Sequence, residues 1–143
     1  MTRDATTPDL ADRVRLFLTA ANRRDLETIM SIQAPDAVYD LSQRGLGIFE
    51  GASAIRGFLE DYLAALEDIE WEFEEMLALD NRVVLLVVRQ QGRPVGVRAR
   101  VSQREAWVQH YSADGMLSRT SSYLDIDEGR AAANRLAASG SWP

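Results

Sequence analysis

Few residue types are available here for chemistry. The chain has no cysteine, a single histidine, His110, and 16 basic residues, all of them arginine. Disulfides and the usual structural zinc site cannot be built from this set. Without lysine, Schiff-base catalysis, pyridoxal-phosphate attachment and a Walker-type phosphate loop are excluded as well. A carboxylate-only site for a hard cation would lack any recognisable loop signature, so neither a metal nor a cofactor is expected. Proton chemistry therefore falls to Asp, Glu, Tyr, Arg, Trp, hydroxyls and His110.

Two carboxylates are the catalytic candidates. Glu105 sits among Val101, Trp107 and Val108, and a carboxyl buried beside an indole suits general acid–base work. The competing reading is a solvated strand residue paired with Arg104 or Arg119. Asp40 ends the first strand, as a base or as the cap of a turn at Leu41-Ser42. His110 alone has an ordinary pKa near neutrality. Alternation with Gln109 and Tyr111 turns it to the outer sheet face, toward a surface or dimer-interface role. Trp107 and Tyr111 are suited to stacking a flat ligand or to filling a core. Arg98, Arg100 and Arg104 share a face of the same strand and read as a solvated or dimer-facing row, with an anion patch as the alternative.

The elements that must position these groups follow from pattern. Thr7, Pro8 and Asp9 are a helix start, as N-cap, first helical position and first-turn acid. Leu10, Val14, Phe17, Leu18 and Ala21 follow at helical spacing. Asn22-Arg23-Arg24 breaks that helix, and Asp25 caps a second through Ile32. A short strand covers Ala37 to Leu41. Ile55, Phe58, Leu59, Tyr62, Leu63 and Leu66 form one helical stripe. From Ile69 the period becomes two, with Ile69, Trp71 and Phe73 alternating with glutamates. Val83 to Val88 reads as a strand covered on both faces. A long strand is expected from Val97 to Tyr111, a last one from Met116 to Leu124, and an Ala-rich helix opened by Asp125 or Asp127. Hairpins are expected at Asp80-Asn81 and Asp114-Gly115. Helices followed by four antiparallel strands in meander order give an α+β fold.

Pro35-Asp36-Ala37-Val38, Phe49-Glu50-Gly51 with Ala54-Ile55-Arg56, and Asp114-Gly115 before the last strand carry a resemblance. From Leu10 to Ala138 the chain resembles the SnoaL-like branch of the nuclear transport factor 2-like superfamily, which includes the ketosteroid isomerases. The resemblance implies a single domain over 1–143, core about 8–138. It also implies a cystatin-like cone, a curved mixed or antiparallel sheet wrapped around helices with an internal pocket. Registered on the isomerase pattern at Gly92 and Gly115, the strands turn Val84, Leu86 and Val88 inward. The same parity turns Glu105, Trp107, Gln109 and Tyr111 inward, then Thr120, Ser122 and Leu124. Phe17, Tyr39, Leu41, Leu59 and Tyr62 complete the implied substrate-binding wall. The isomerase base falls on Leu41, its tyrosine on Phe17, and its protonated aspartate on Trp107, or on Glu105 with one residue skipped. These departures argue against a steroid-isomerase mechanism.

The net charge of −6 argues against nucleic acid, and no apolar run is long enough for a membrane span. Residues 1–8 lack the apolar segment of a signal peptide, so a cytoplasmic protein is expected. A homodimer is expected because Leu85 and Val87, alternating outward beside Val108 and His110, need cover. Two readings of function stand. One is a cofactor-independent acid–base enzyme (isomerase, cyclase or hydro-lyase) on a hydrophobic organic substrate, with Glu105 or Asp40 moving the proton. In it Tyr39, Gln109 and Tyr111 hold a carbonyl or enolate oxygen, and Trp107 is the reporter indole, with Trp71 set apart on another strand and Trp142 on the tail. The other is a non-catalytic ligand-binding or dimerisation module.

Overall fold

The computed structural model describes residues 9–141. The expected cap at Thr7 and Pro8 lies outside these residues. Asp9 itself is the N-cap of α1 (Leu10–Asn22), its carboxylate accepting from the Ala11 amide. Asp25 caps α2 (Leu26–Ile32) through the Thr28 amide and hydroxyl. After β1 (Gln33–Asp40) and a short β2 (Ile48–Glu50), α3 spans Ala52–Ala65. Three long strands follow, β3 (Leu66–Leu79), β4 (Val83–Pro94) and β5 (Val101–Tyr111), then β6 (Leu117–Tyr123) and α4 (Ile126–Ser139).

The strands make one mixed sheet in the order β2-β1-β6-β5-β4-β3. The meander β3 to β6 is antiparallel throughout, as its turn signals foretell. β1 lies parallel to β6, with Tyr39 opposite Thr120, and its register shifts between Gln33 and Val38. That parallel pairing makes the sheet mixed. The sheet is curved and unclosed, and the fold is the α+β cone.

Four boundaries differ from expectation. β1 begins at Gln33, four residues before Ala37, because β6 offers it a ladder that period alone does not announce. Leu66, expected on the helical stripe, opens β3 opposite Pro94. β5 begins at Val101, so Val95 and Val97 stand exposed in the connecting loop. Arg98 and Arg100 therefore share no strand face with Arg104, which pairs with Glu74 at 2.8 Å. Leu124 lies beyond β6 and is 50 % exposed rather than inside.

Each sheet face buries a different cluster. The inner face packs Val84, Leu86, Val88, Tyr111 and Leu117 against Val14, Phe17, Ala20, Ile29 and Ile32 of α1 and α2. The outer face packs Val83, Leu85, Ala106 and Val108 against Ala133, Leu136 and Ala137 of α4. The protein's own last helix thus covers the face whose exposure called for a second copy, and Leu85 and Val87 are buried. His110 does lie on that outer side, half-buried, its ring Nε2 3.1 Å from the Asn81 carbonyl. Burial lowers its pKa, the Asn81 carbonyl pulls the other way and Arg82 adds to the lowering. Among the described residues no helix is long and apolar enough to cross a membrane.

Candidate functional site

A cavity of about 80 Å³ opens between the inner sheet face, α1 and α3. Its walls are largely aromatic. Phe17 comes from α1, Phe58, Leu59, Tyr62 and Leu63 from α3, Trp71 from β3 and Trp107 from β5. Trp107 makes T-shaped contacts with Phe17, Trp71 and Phe73 at centroid distances of 6.3, 6.4 and 5.8 Å. Such T-shaped pairs add roughly 0.5–1.5 kcal/mol each beyond area burial, enough to fix the indole in place. On the helical side Phe58 stacks with Tyr62 at 5.5 Å.

Eight of the residues expected in the wall line this cavity: Phe17, Tyr39, Leu41, Leu59, Tyr62, Trp107, Thr120 and Ser122. Val84, Leu86 and Val88 occupy the same face but are closed into the core. Gln109 and Tyr111 are also buried, and engaged with each other, the Tyr111 hydroxyl donating to Gln109 Oε1 at 2.8 Å. Tyr39 accepts from the Gln33 amide at 3.1 Å, and burial pushes its phenol pKa up against that bond. Ser122 Oγ and Gln109 Nε2 have no hydrogen-bond partner among the described residues. Leu41, Phe17 and Trp107, on which the isomerase positions were expected to fall, all reach the wall, whereas Glu105, the alternative to Trp107, does not.

The two carboxylates lie close by without lining the cavity. Glu105 is fully buried. Its Oε1 accepts from the Trp107 indole at 2.6 Å and its Oε2 from the Gln103 amide at 2.6 Å. Its cationic partner is neither Arg104 nor Arg119 but Arg44, whose Nη1 stands 3.4 Å from Oε1. Asp40 accepts from the Ser42 amide at 3.0 Å, from the Ser42 hydroxyl at 2.5 Å and from Arg119 at 3.0 Å. It is therefore the turn cap.

Arg44, Trp71, Gln90, Phe58 and Leu63 join the wall although the sequence reading passes over them. Four of these were within reach of pattern. Gln90 continues the inward parity of Val84, Leu86 and Val88, Trp71 belongs to an alternating run, and Phe58 and Leu63 belong to the α3 stripe. Trp71, set apart by strand, stands beside Trp107 because the rows from β3 and β5 meet over β4. Arg44 carries no such signal. A loop delivers it: Leu41 N–H bonds the Gly47 carbonyl at 2.8 Å, Arg44 N–H bonds the Leu41 carbonyl at 3.0 Å, and Gly45 at φ 73° closes the turn. A side chain bearing Cβ resists that backbone conformation. Nη2 of Arg44 donates to the Tyr62 hydroxyl at 3.3 Å, the Gln90 amide donates to the same oxygen at 2.6 Å, and Trp71 Nε1 donates to Gln90 Oε1 at 2.9 Å.

Several solved structures share this architecture. An NTF2-like protein of unknown function from Burkholderia pseudomallei K96243 superposes with a TM-score of 0.71 at 18 % identity, covering 85 % of this chain and 95 % of that one. A ketosteroid isomerase-like protein from Catenulispora acidiphila DSM 44928, solved with trimethylamine, gives 0.68 at 16 %, covering 82 % and 86 %. SalBIII, an epoxide hydrolase/cyclase-like enzyme of pyran ring formation in salinomycin, gives 0.70 at 17 %, covering 80 % and 88 %. Likeness at these identities carries the fold and no activity. Among curated proteins none matches the sequence. The SnoaL-like domain model, however, matches residues 14–133, which takes in α3, the whole sheet and every residue of the cavity wall. The chain belongs to the SnoaL-like family.

Proposed function

We propose that this protein holds an apolar organic molecule of single-ring size or smaller in the cavity bounded by Trp71, Trp107, Phe17 and Tyr62. The aromatic wall carries this reading, since small-molecule sites are concave and mainly apolar with a few placed polar groups. The enclosed 80 Å³ is about half the ~150 Å³ of an engineered apolar cavity that takes benzene, so a single ring seats here only with part of it in the cavity's open mouth. α4 covers the sheet face that would otherwise have needed a second copy.

A second reading, acid–base catalysis as isomerase, cyclase or hydro-lyase, is favoured by one observation. Glu105 is a wholly buried carboxylate whose indole and guanidinium partners both line the cavity. In that reading Glu105 handles the proton and Asp40, tied to Ser42 and Arg119, does not.

Titration with acetophenone or toluene, followed by the indole N–H resonances, tests binding. Both Trp71 and Trp107 should shift saturably, and Trp107→Phe should leave the Trp71 response in place. Indole signals indifferent to both compounds would dismiss the cavity as a ligand site. For any ligand found to be converted, Glu105→Gln should hold Kd and lower turnover by about two to four orders of magnitude. Unchanged turnover would remove Glu105 from the chemistry.

A further inference from the structure

The polarity of one hydrogen-bond chain says what the ligand must offer. An indole N–H only donates, so the Gln90 atom 2.9 Å from Trp71 Nε1 is the amide oxygen. The Gln90 nitrogen is then the atom 2.6 Å from the Tyr62 oxygen, as a donor. Arg44 Nη2, which also only donates, reaches the same oxygen at 3.3 Å. Tyr62 therefore accepts twice, and its own O–H has no acceptor among the described protein groups. That hydrogen is left for whatever occupies the cavity Tyr62 lines.

Arg44 supplies donors beside it. A guanidinium has five N–H groups. Here one goes to Tyr62 and another faces Glu105 at 3.4 Å, leaving the rest of the fork unassigned at the wall. Arg44 is the one charged residue in that wall, with a side chain 11 % exposed, and the buried Glu105 matches its charge. A ligand carboxylate would add an uncompensated negative charge to an apolar enclosure, at a desolvation cost that nothing nearby offsets. An uncharged acceptor adds none. Building on the small-molecule reading above, we propose that Tyr62 and Arg44 form a two-donor site for the carbonyl oxygen of an uncharged, single-ring-sized ligand. Tyr111 does not share this role, its hydroxyl being donated to Gln109 Oε1, and neither Gln109 nor Tyr111 lines the cavity.

Three matched probes test it by indole-resonance titration: acetophenone, α-methylstyrene (the same shape with CH2 in place of oxygen) and benzoate. The readout is the ratio of the α-methylstyrene Kd to the acetophenone Kd, compared between variants so that differences in partitioning from water cancel. Tyr62→Phe should lower this ratio about tenfold or more, the scale of a hydrogen bond to a placed donor. Arg44→Met alone would strand the Glu105 carboxylate, so its effect is read by comparing Arg44→Met/Glu105→Gln with Glu105→Gln. The ratio should fall again on loss of Arg44. The native protein should bind acetophenone more tightly than benzoate. A ratio unmoved by loss of Tyr62, or by loss of Arg44, overturns the two-donor site while leaving the cavity a binding site. Tighter benzoate makes it an anion site instead. Failure of all three probes to shift either indole overturns this proposal together with the small-molecule reading.

Discussion

Asp40 acts one step back from the cavity. It caps the turn that delivers Arg44, and Arg119 from β6 clamps the cap at 3.0 Å. Partial burial works to raise its pKa, but the Ser42 hydroxyl and amide together with Arg119 outweigh it and hold the carboxyl below its usual value. A folded-state pKa below the unfolded one means that the native state binds fewer protons. The stabilisation is therefore complete above about pH 4 and is lost as pH falls through the lowered value. Asp40→Asn should lower Tm at pH 7 and flatten its decline below about pH 4, as followed by circular dichroism. Melting curves that superimpose on the native ones at every pH would show that the carboxylate contributes nothing. The capping role was legible, since an Asp two residues before a serine signals such a turn. The indole beside Glu105 was legible too, but its cationic partner was not, because Arg44 and Glu105 meet only once a loop from the first third of the chain folds over β5.

Elements with strong period declared themselves in the sequence: α1, α3 and the run Val83 to Val88 stand where the pattern puts them, give or take a terminus. β2 did not, since three residues after a glycine loop hold no period, and the cover supplied by α4 is a tertiary fact that its alanines do not announce. Gly129 shows how close that cover is. A Cβ there would lie 2.4 Å from the Ala106 Cβ, an atom with no torsion by which to move away. The clash should cost about 1–3 kcal/mol against the roughly 1 kcal/mol that alanine's helix propensity returns, so Gly129→Ala should lower stability. Gly57 on α3 is the control, with nothing within 4 Å of its added Cβ. Gly57→Ala should stabilise by about 0.5–1 kcal/mol. Urea denaturation of both variants decides the matter, and a stabilised Gly129→Ala would mean that α4 sits further from the sheet than described.

For the molecule as a whole, α4 separates a buried hydrophobic face from a sticky one. Ending the chain at Asp125 would uncover Val83, Leu85 and Val108, an apolar strip of the kind that drives association. Sedimentation velocity at micromolar concentration should show the truncated chain associating or precipitating. A truncated chain that sediments as the full chain does and keeps its Tm would deny α4 this part. The parallel pairing of β1 with β6 has a consequence in time. Its partners, such as Tyr39 and Thr120, stand at opposite ends of the chain's itinerary, with α3 and three long strands between them. Closing so long an intervening segment costs entropy before the contact repays it, which slows folding of such topologies. Both residues belong to the cavity wall. During synthesis the pocket thus stays unfinished until β6 has left the ribosome, and a nascent chain lacking its final quarter has no enclosure with which to capture a ligand.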